Sequence, residues 1–467
     1  MTSIPRILIT GLRGGGGKTL VSLGLAAAWQ KRGYNVAPFK KGPDYIDAAW
    51  LSMAANKPCR NLDPFLMDSQ TLSHSFTTWT TQADVALIEG NRGLFDGMNA
   101  QGTYSTATVA KLLKAPVIIV ADCTKSTRTV AATILGCQKL DPAVSIVGVV
   151  LNQTAGPRHD SVLREAIELI CGLPVLGAVA RIPQQIFPER HLGLVPPDEH
   201  DQQAHSIRQV TNIAEKSLDL DAIEKLARQA PPLEFEDQSQ AVCNRVKLET
   251  VRIGVCRDTA FQFYYPDNLE ALAKEGANVV EISPLHDHCL PELDALYIGG
   301  GFPETMAPAL SKNQPFIKSL RQQIEKGLPV YAECGGAVYL GEKLLFEQKQ
   351  YPMANVLPVS FVFHTKAMGH GYAVLETVAE NPFYSVGNLI RGHEFHYTCI
   401  DSADANDLKF AFRVRRGYGF DGQRDGLCQG NVLACYTHVH ALGVESWAPA
   451  LCQAAICFKQ GRKQSAP

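Results

Sequence analysis

A glycine run set between a strand-like and a helix-like segment constrains this chain more than any other feature. Gly11-Leu-Arg-Gly14-Gly15-Gly16-Gly17-Lys18-Thr19 follows the apolar Arg6–Thr10 and precedes the helical pattern Leu20–Lys31, which closes at Arg32-Gly33. Glycines in that position let backbone N–H groups wrap a phosphate, and the helix start adds its dipole. Lys18 is then set to reach the outer phosphates of a nucleotide, and the Thr19 hydroxyl to hold Mg²⁺. Gly11, Gly14, Gly15, Gly16, Gly17, Lys18 and Thr19 are the expected nucleotide-binding residues.

The alternation continues beyond the loop. Asn35–Lys40, Asp84–Glu89, Pro116–Asp122 and Ile146–Asn152 read as further strands, with helical patterns such as Thr106–Leu113 between them. Near-continuous apolar strands predict a parallel sheet with helices on both faces. A Pro-rich, acidic, aperiodic stretch around Pro231–Gln240 reads as a linker. A second series then begins at Val251–Cys256 and includes Asn278–Ile282, Ala295–Ile298, Pro329–Ala332 and Val432–Tyr436, with a basic, frayed tail expected after Phe458. The fold class expected is therefore α/β in two domains, residues 1–228 and 251–460, joined by a linker over 229–250. A length of 467 residues suits two large domains at roughly 150 or more residues each.

Composition excludes several classes. Lys plus Arg minus Asp plus Glu is 44 − 46 = −2, which gives no footing for bulk binding of nucleic acid or a membrane surface. No apolar run approaches the ~18 residues of a spanning helix. The apolar Ile7–Leu12 runs straight into the glycine loop, so no signal peptide is expected and a cytoplasmic setting is. Thirteen cysteines without CxxC spacing indicate neither a zinc site nor a disulfide framework.

Acids and one lysine gather at the ends of neighbouring predicted strands. Glu89 ends a strand and can hold Mg²⁺ directly or through water. Lys40, Asp44 and Asp47 follow the second strand, and Asp96 follows Glu89 in Glu-Gly-Asn-Arg-Gly-Leu-Phe-Asp-Gly97. The carboxyl ends of parallel strands form the ligand crevice of an open sheet. There Asp44, Asp47 and Asp96 can hold Mg²⁺ or orient a substrate carboxylate, and Lys40 can neutralise phosphoryl charge. Together they point to phosphoryl transfer onto an acid.

The second half carries a different chemistry. Pro329-Val-Tyr-Ala-Glu-Cys334-Gly335-Gly is an apolar strand meeting glycines and then a helical run, the layout of a nucleophile elbow. Gly299-Gly300-Gly301 is a second glycine turn after a strand, whose N–H groups can form an oxyanion hole. Tyr436-Thr-His438-Val-His440 supplies histidines at a late strand end. A cysteine, an oxyanion turn and a base together point to attack on an amide or ester.

The five residues between Gly11 and Gly17 make the loop resemble the dethiobiotin-synthetase-like and partition-ATPase branch of P-loop proteins, although Arg13 stands where the partition ATPases carry lysine. Related P-loop folds place an adenine-reading amide at the position of Asn152. The second half resembles the triad-type glutamine amidotransferases, which implies Cys334 as nucleophile, His438 as base and Gly299, Gly300, Gly301 and Gly335 around the substrate. The usual third member, a glutamate two residues beyond the histidine, is His440 here, which leaves open what orients His438. Across residues 5–443 the chain resembles the cobyrinic and hydrogenobyrinic acid a,c-diamide synthases. The motifs are Pro38–Asp47, Arg60–Pro64, Gly93–Gly97, Pro188–Leu194, Phe263–Asn268, Arg391–Tyr397 and Tyr436–His440.

That resemblance implies a ligase using ATP and Mg²⁺ that activates two acetate carboxylates of a corrinoid and amidates them with ammonia from glutamine. It places His393 and Glu394 at the substrate. It implies glutamine and a corrinoid or related tetrapyrrole acid as partners, with neither nucleic acid nor membrane, and a homodimer as a candidate assembly. Two alternatives stand beside it. One is a,c-diamidation of a nickel sirohydrochlorin; the other is a P-loop switch that binds a partner, its second domain an inactive scaffold.

Overall fold

The computed structural model describes residues 4–182, 186–190, 193–233, 250–401 and 408–465. The chain divides into two compact units, residues 1–240 and 241–467, and the division falls inside the segment read as a linker. Most of that segment, residues 234–249, lies outside the described residues.

The first unit is built on seven strands: β1 (Arg6–Gly11), β2 (Val36–Lys41), β3 (Arg60–Leu62), β4 (Val85–Gly93), β5 (Val117–Asp122), β6 (Ile146–Thr154) and β7 (Val175–Ala180). Their order is β3-β2-β4-β1-β5-β6-β7, and every pairing is parallel. Helices cover both faces, so β1 and β5 are buried along almost their whole length and read as unbroken apolar runs. Leu8 of β1 pairs with Ile88 of β4 on one side and Val117 of β5 on the other, which puts the glycine loop at the middle of the sheet's carboxyl edge. Helix α1 (Lys18–Lys31) buries Val21, Leu23, Leu25 and Trp29 and is apolar nearly all round, as a helix enclosed by other elements should be. Its Gly24 admits the helix Gln203–Ser217, since a Cβ there would stand 2.7 Å from the Val210 carbonyl oxygen.

The second unit centres on a ten-stranded mixed sheet. Asn278–Ile282, Arg252–Cys256, Ala295–Ile298, Val330–Glu333 and Val432–Cys435 lie side by side in parallel. The sheet then continues antiparallel through Arg424–Gln429, Phe410–Arg416, Gly369–Thr377, Leu389–His396 and the short His438–Val439. Successive residues feed opposite cores: Ile298 and Ala332 pack with Val338, Leu344 and Phe361, while Tyr297 and Tyr331 pack with Leu433, Trp447 and Leu451.

The tail corrects one expectation. Instead of fraying after Phe458, the chain forms one helix over Trp447–Ser465. Arg462 pairs with Asp294 at 2.5 Å and donates to the Leu293 carbonyl at 3.1 Å, and Lys459 donates to the Thr250 carbonyl at 2.6 Å. Cations in a last helical turn also complement the macrodipole. Among the described residues no helix is long and apolar enough to cross a membrane.

Candidate active site

In the first unit the chemistry collects beyond the ends of β1, β2 and β4. Gly17 has φ +92°, a left-handed conformation that any side chain would strain, and it opens α1. Lys18 is 8% exposed, and burial first, then the charge of Lys40, draws its pKa down. Thr19 donates its hydroxyl to Glu89 Oε1 at 2.8 Å, and Lys40 Nζ reaches the same oxygen at 2.8 Å. Lys40 also binds Asp47 at 2.5 Å and approaches Asp44 at 3.9 Å. Asp47 begins the helix α2 (Ile46–Ala55), and its N–H donates to Asp44 Oδ1 at 2.9 Å. Parallel registry explains the gathering: Lys40 lies directly opposite Glu89 in the β2–β4 ladder.

The charges are tightly coupled. Burial alone would strip Lys40 of its proton, but Asp47, Glu89 and Asp44 reverse this and hold its pKa well above the ordinary lysine value. Burial, with the neighbouring Asp47, pushes Asp44 up to about 7. Burial also opposes the charge of Asp47, yet the Lys40 charge and hydrogen bond outweigh it and keep its pKa low. Glu89 is fully buried, and its Oε2 has no hydrogen-bond partner among the described residues.

Two expected residues sit elsewhere. Asp96 is exposed and accepts the Gly93 N–H at 2.9 Å, stapling its own loop rather than joining the Lys40 cluster. Asn152, expected to read a base, donates its amide to the Gly16 carbonyl at 3.1 Å and occupies the space where a Gly17 side chain would stand. Because β6 is two strands from β1 on the same edge, its end meets the back of the glycine loop. Farther along that edge, an open cavity of about 570 Å³ is lined by Thr127, Gly156, Arg158 and His159. Arg13, for its part, pairs with Asp122 at the end of β5.

The second unit presents Cys334 on a sharp turn between the strand Val330–Glu333 and the short helix Gly335–Leu340. Its φ of +47° and ψ of −104° are a strained conformation for a residue with a side chain, as a nucleophile elbow requires. The Cys334 N–H donates to the Cys435 carbonyl at 2.6 Å, tying the elbow to the neighbouring strand. His438, 2% exposed, hydrogen-bonds Cys334, and its ring lies over Gly300, where a Cβ would come within 2.5 Å of Cε1. On its other side, His438 Nδ1 is 3.3 Å from Glu333 Oε2. Burial opposes the imidazolium, but the hydrogen bonds and charges of Cys334 and Glu333 outweigh it and push the His438 pKa up to about 10.

The glycine turn is in place with one adjustment. The Gly299 N–H donates to the Tyr264 hydroxyl at 2.7 Å, so the turn faces the elbow through Gly300 and Gly301. The Gly301 nitrogen lies 3.1 Å from where a Cβ on Gly335 would stand. His393 pairs with His438 across the sheet and stacks on it, with ring centroids 4.9 Å apart and planes 20° apart. Burial, then the charges of His438 and His440, holds His393 well below the ordinary histidine value. Glu394, expected at the substrate, is buried and accepts the Tyr418 and Gly419 N–H groups, the latter at 2.8 Å. His440 turns away toward Asp267, at 3.7 Å, and packs against the Tyr265 ring, so it does not fill the place of the absent glutamate.

Sequence reasoning missed Glu333, Tyr264 and Asp425. Asp425 accepts the Tyr436 and Thr437 N–H groups at 3.0 and 3.2 Å and so fixes the chain just before His438. Glu333 carried a readable signal, a charged residue closing an otherwise apolar strand directly before the cysteine.

Comparison with known proteins covers both units. Residues 7–192 match the CobQ/CobB/MinD/ParA nucleotide binding domain, and residues 252–445 match the CobB/CobQ-like glutamine amidotransferase domain. A protein of Magnetococcus marinus named cobyrinate a,c-diamide synthase is 43% identical over 451 residues, covering 96% of each chain. One of the same name from Archaeoglobus fulgidus is 42% identical, covering 95% of this chain and 96% of its own. Another, from Dehalococcoides mccartyi, is 39% identical and covers 94% and 95%.

Proposed function

This chain belongs to the cobyrinate a,c-diamide synthase family of glutamine-hydrolysing ligases, and from that premise we propose that it amidates the a and c acetate carboxylates of cobyrinic or hydrogenobyrinic acid, using ATP and glutamine. The observation that carries the reading is that one chain holds both a P-loop backed by the Thr19–Glu89–Lys40 cluster and a buried Cys334–His438 pair.

In the second unit, the Cys334 proton passes to His438 Nε2 before attack, giving the imidazolium that the raised His438 pKa favours, and Sγ then attacks the glutamine amide carbon. The N–H groups of Gly300, Gly301 and Gly335 stabilise the oxyanion. His438 returns the proton to the leaving nitrogen, ammonia departs, and water hydrolyses the thioester to glutamate.

In the first unit, a substrate acetate attacks the γ-phosphorus of ATP, ADP leaves, and an acyl phosphate forms. Ammonia then adds to the acyl carbon and phosphate departs. Lys18 and the loop amides hold the phosphates, and Lys40 offsets charge on the transferring group. The fit to Mg²⁺ rests on the hard oxygens present: Glu89 Oε2 is buried without a hydrogen-bond partner among the described residues, with the Thr19 hydroxyl on the other oxygen and Asp44 nearby. When held by Glu89, Thr19 and Asp44, Mg²⁺ would supply charge neutralisation to the phosphates.

The test offers cobyrinic acid, hydrogenobyrinic acid and nickel sirohydrochlorin in parallel, each with ATP and glutamine, and reads products by mass spectrometry. Two carboxyl-to-amide conversions on one of the first two are expected. Cys334→Ala should lose glutamine-dependent product while ammonia still supports it. Product on nickel sirohydrochlorin alone would reassign the substrate, and no product with nucleotide still bound would favour a partner-binding switch.

A further inference from the structure

We propose that Glu333, the residue immediately before the nucleophile, is the positioning acid of the glutaminase centre and stands in for the glutamate missing two residues beyond His438. The inference rests on the glutaminase reading of Cys334 and His438.

A base that shuttles a proton through Nε2 needs an acceptor at Nδ1 to hold its tautomer and orientation, and a carboxylate there also stabilises the imidazolium. Glu333 meets that need by geometry. It is fully buried, and Oε2 lies 3.3 Å from His438 Nδ1. Two further donors fix the carboxyl group: the Tyr297 hydroxyl at 3.0 Å to Oε2 and the Val439 N–H at 3.2 Å to Oε1. The second bond matters most, because Val439 directly follows His438. Glu333 therefore grips both the ring of the base and the backbone that carries it.

The other groups facing this centre cannot take the role. His440 is engaged with Asp267 and Tyr265, and His393, a neutral ring held well below the ordinary histidine pKa by burial, is stacked on the His438 face with its Nδ1 3.3 Å from the Tyr265 hydroxyl. Tyr297, Tyr264, Tyr331 and Tyr384 are buried phenols, held in their neutral forms by burial. Cys435 is likewise a buried thiol kept protonated. Glu394 is occupied by the Tyr418 and Gly419 N–H groups, and Asp425 by those of Tyr436 and Thr437.

The test measures glutaminase kcat and KM against pH for the wild-type chain, Cys334→Ser, Glu333→Gln and Glu333→Asp. Wild-type turnover abolished by Cys334→Ser secures the glutaminase reading itself, and its failure is thereby separated from failure of this proposal. Glu333→Gln is expected to lower kcat by at least about 100-fold with KM for glutamine within about threefold, since loss of an orienting acid acts on the transition state. The alkaline limb of the profile, where His438 loses its proton, should move to lower pH. Glu333→Asp, keeping the charge with one methylene fewer, should recover part of kcat and return the limb toward its wild-type position. Wild-type kcat with an unmoved limb in Glu333→Gln overturns the proposal. So does loss of saturable glutamine kinetics in both variants, which would assign Glu333 to packing alone.

Discussion

Asp44 is where the charge balance of the nucleotide half can be tested. Its pKa of about 7 lies above that of a free carboxyl because burial and Asp47 disfavour the anion. Below that value the proton must leave before the carboxylate can help hold Mg²⁺. Affinity for Mg²⁺-nucleotide should therefore rise with pH, by up to about tenfold per unit below pH ~7, and flatten above it. Titration calorimetry with a non-hydrolysable nucleotide from about pH 5.5 to 8 checks this. Asp44→Asn should bind more weakly and lose the slope; an unchanged slope would place the titrating group elsewhere. Residues whose placement is set by their own stretch of chain were legible at this scale. Lys18, Thr19 and Cys334 lie on strand–turn–helix segments that announce themselves. The partners of Glu333 and Asn152 were not legible, because His438 and Gly16 lie 105 and 136 residues away from them.

At the scale of elements, the parallel strands were the clearest reading, since burial on both faces leaves an unbroken apolar run. The antiparallel extension of the second sheet carries no such run, because strands such as Gly369–Thr377 alternate buried and partly exposed positions. The tail helix escaped entirely. Its basic, weakly patterned sequence resembles a solvated end, and its anchors, Asp294 and the Leu293 carbonyl, lie far back in the chain. Deleting residues 459–467 should thus be costly where a frayed tail would be silent. Loss of the partly buried Arg462–Asp294 contact and the Lys459–Thr250 bond should destabilise the second unit by about 1–3 kcal/mol. Urea unfolding followed by fluorescence of Trp447, which packs 5.2 Å from the Tyr297 ring, measures it. A midpoint unchanged by the deletion would contradict the anchoring.

For the molecule as a whole, one described core cluster draws on residues from Ile4 to Leu233 and two others on residues from Val251 onward. Each unit should unfold as its own cooperative step. In scanning calorimetry, nucleotide with Mg²⁺ at about 100 times its Kd should add ~2.7 kcal/mol to one transition and leave the other in place. A single transition moving as one would show that the units unfold together. The division into two α/β bodies was legible because the acidic, Pro-rich stretch interrupts two separate alternations; the mixed character of the second sheet depended on long-range pairing.

The adjacency of Glu333 and Cys334 has a consequence for how such a centre changes over time. Nucleophile and acid are inherited as one dipeptide, separated by a single peptide unit of about 3.8 Å between Cα atoms. A drift in the strand that carries them displaces both ends of the proton path together, while the histidine arrives from 105 residues further along the chain as a lone third party. With the acid beside the nucleophile, the position two places past the histidine, which His440 holds here, is released from that role and takes up Asp267 and Tyr265 instead.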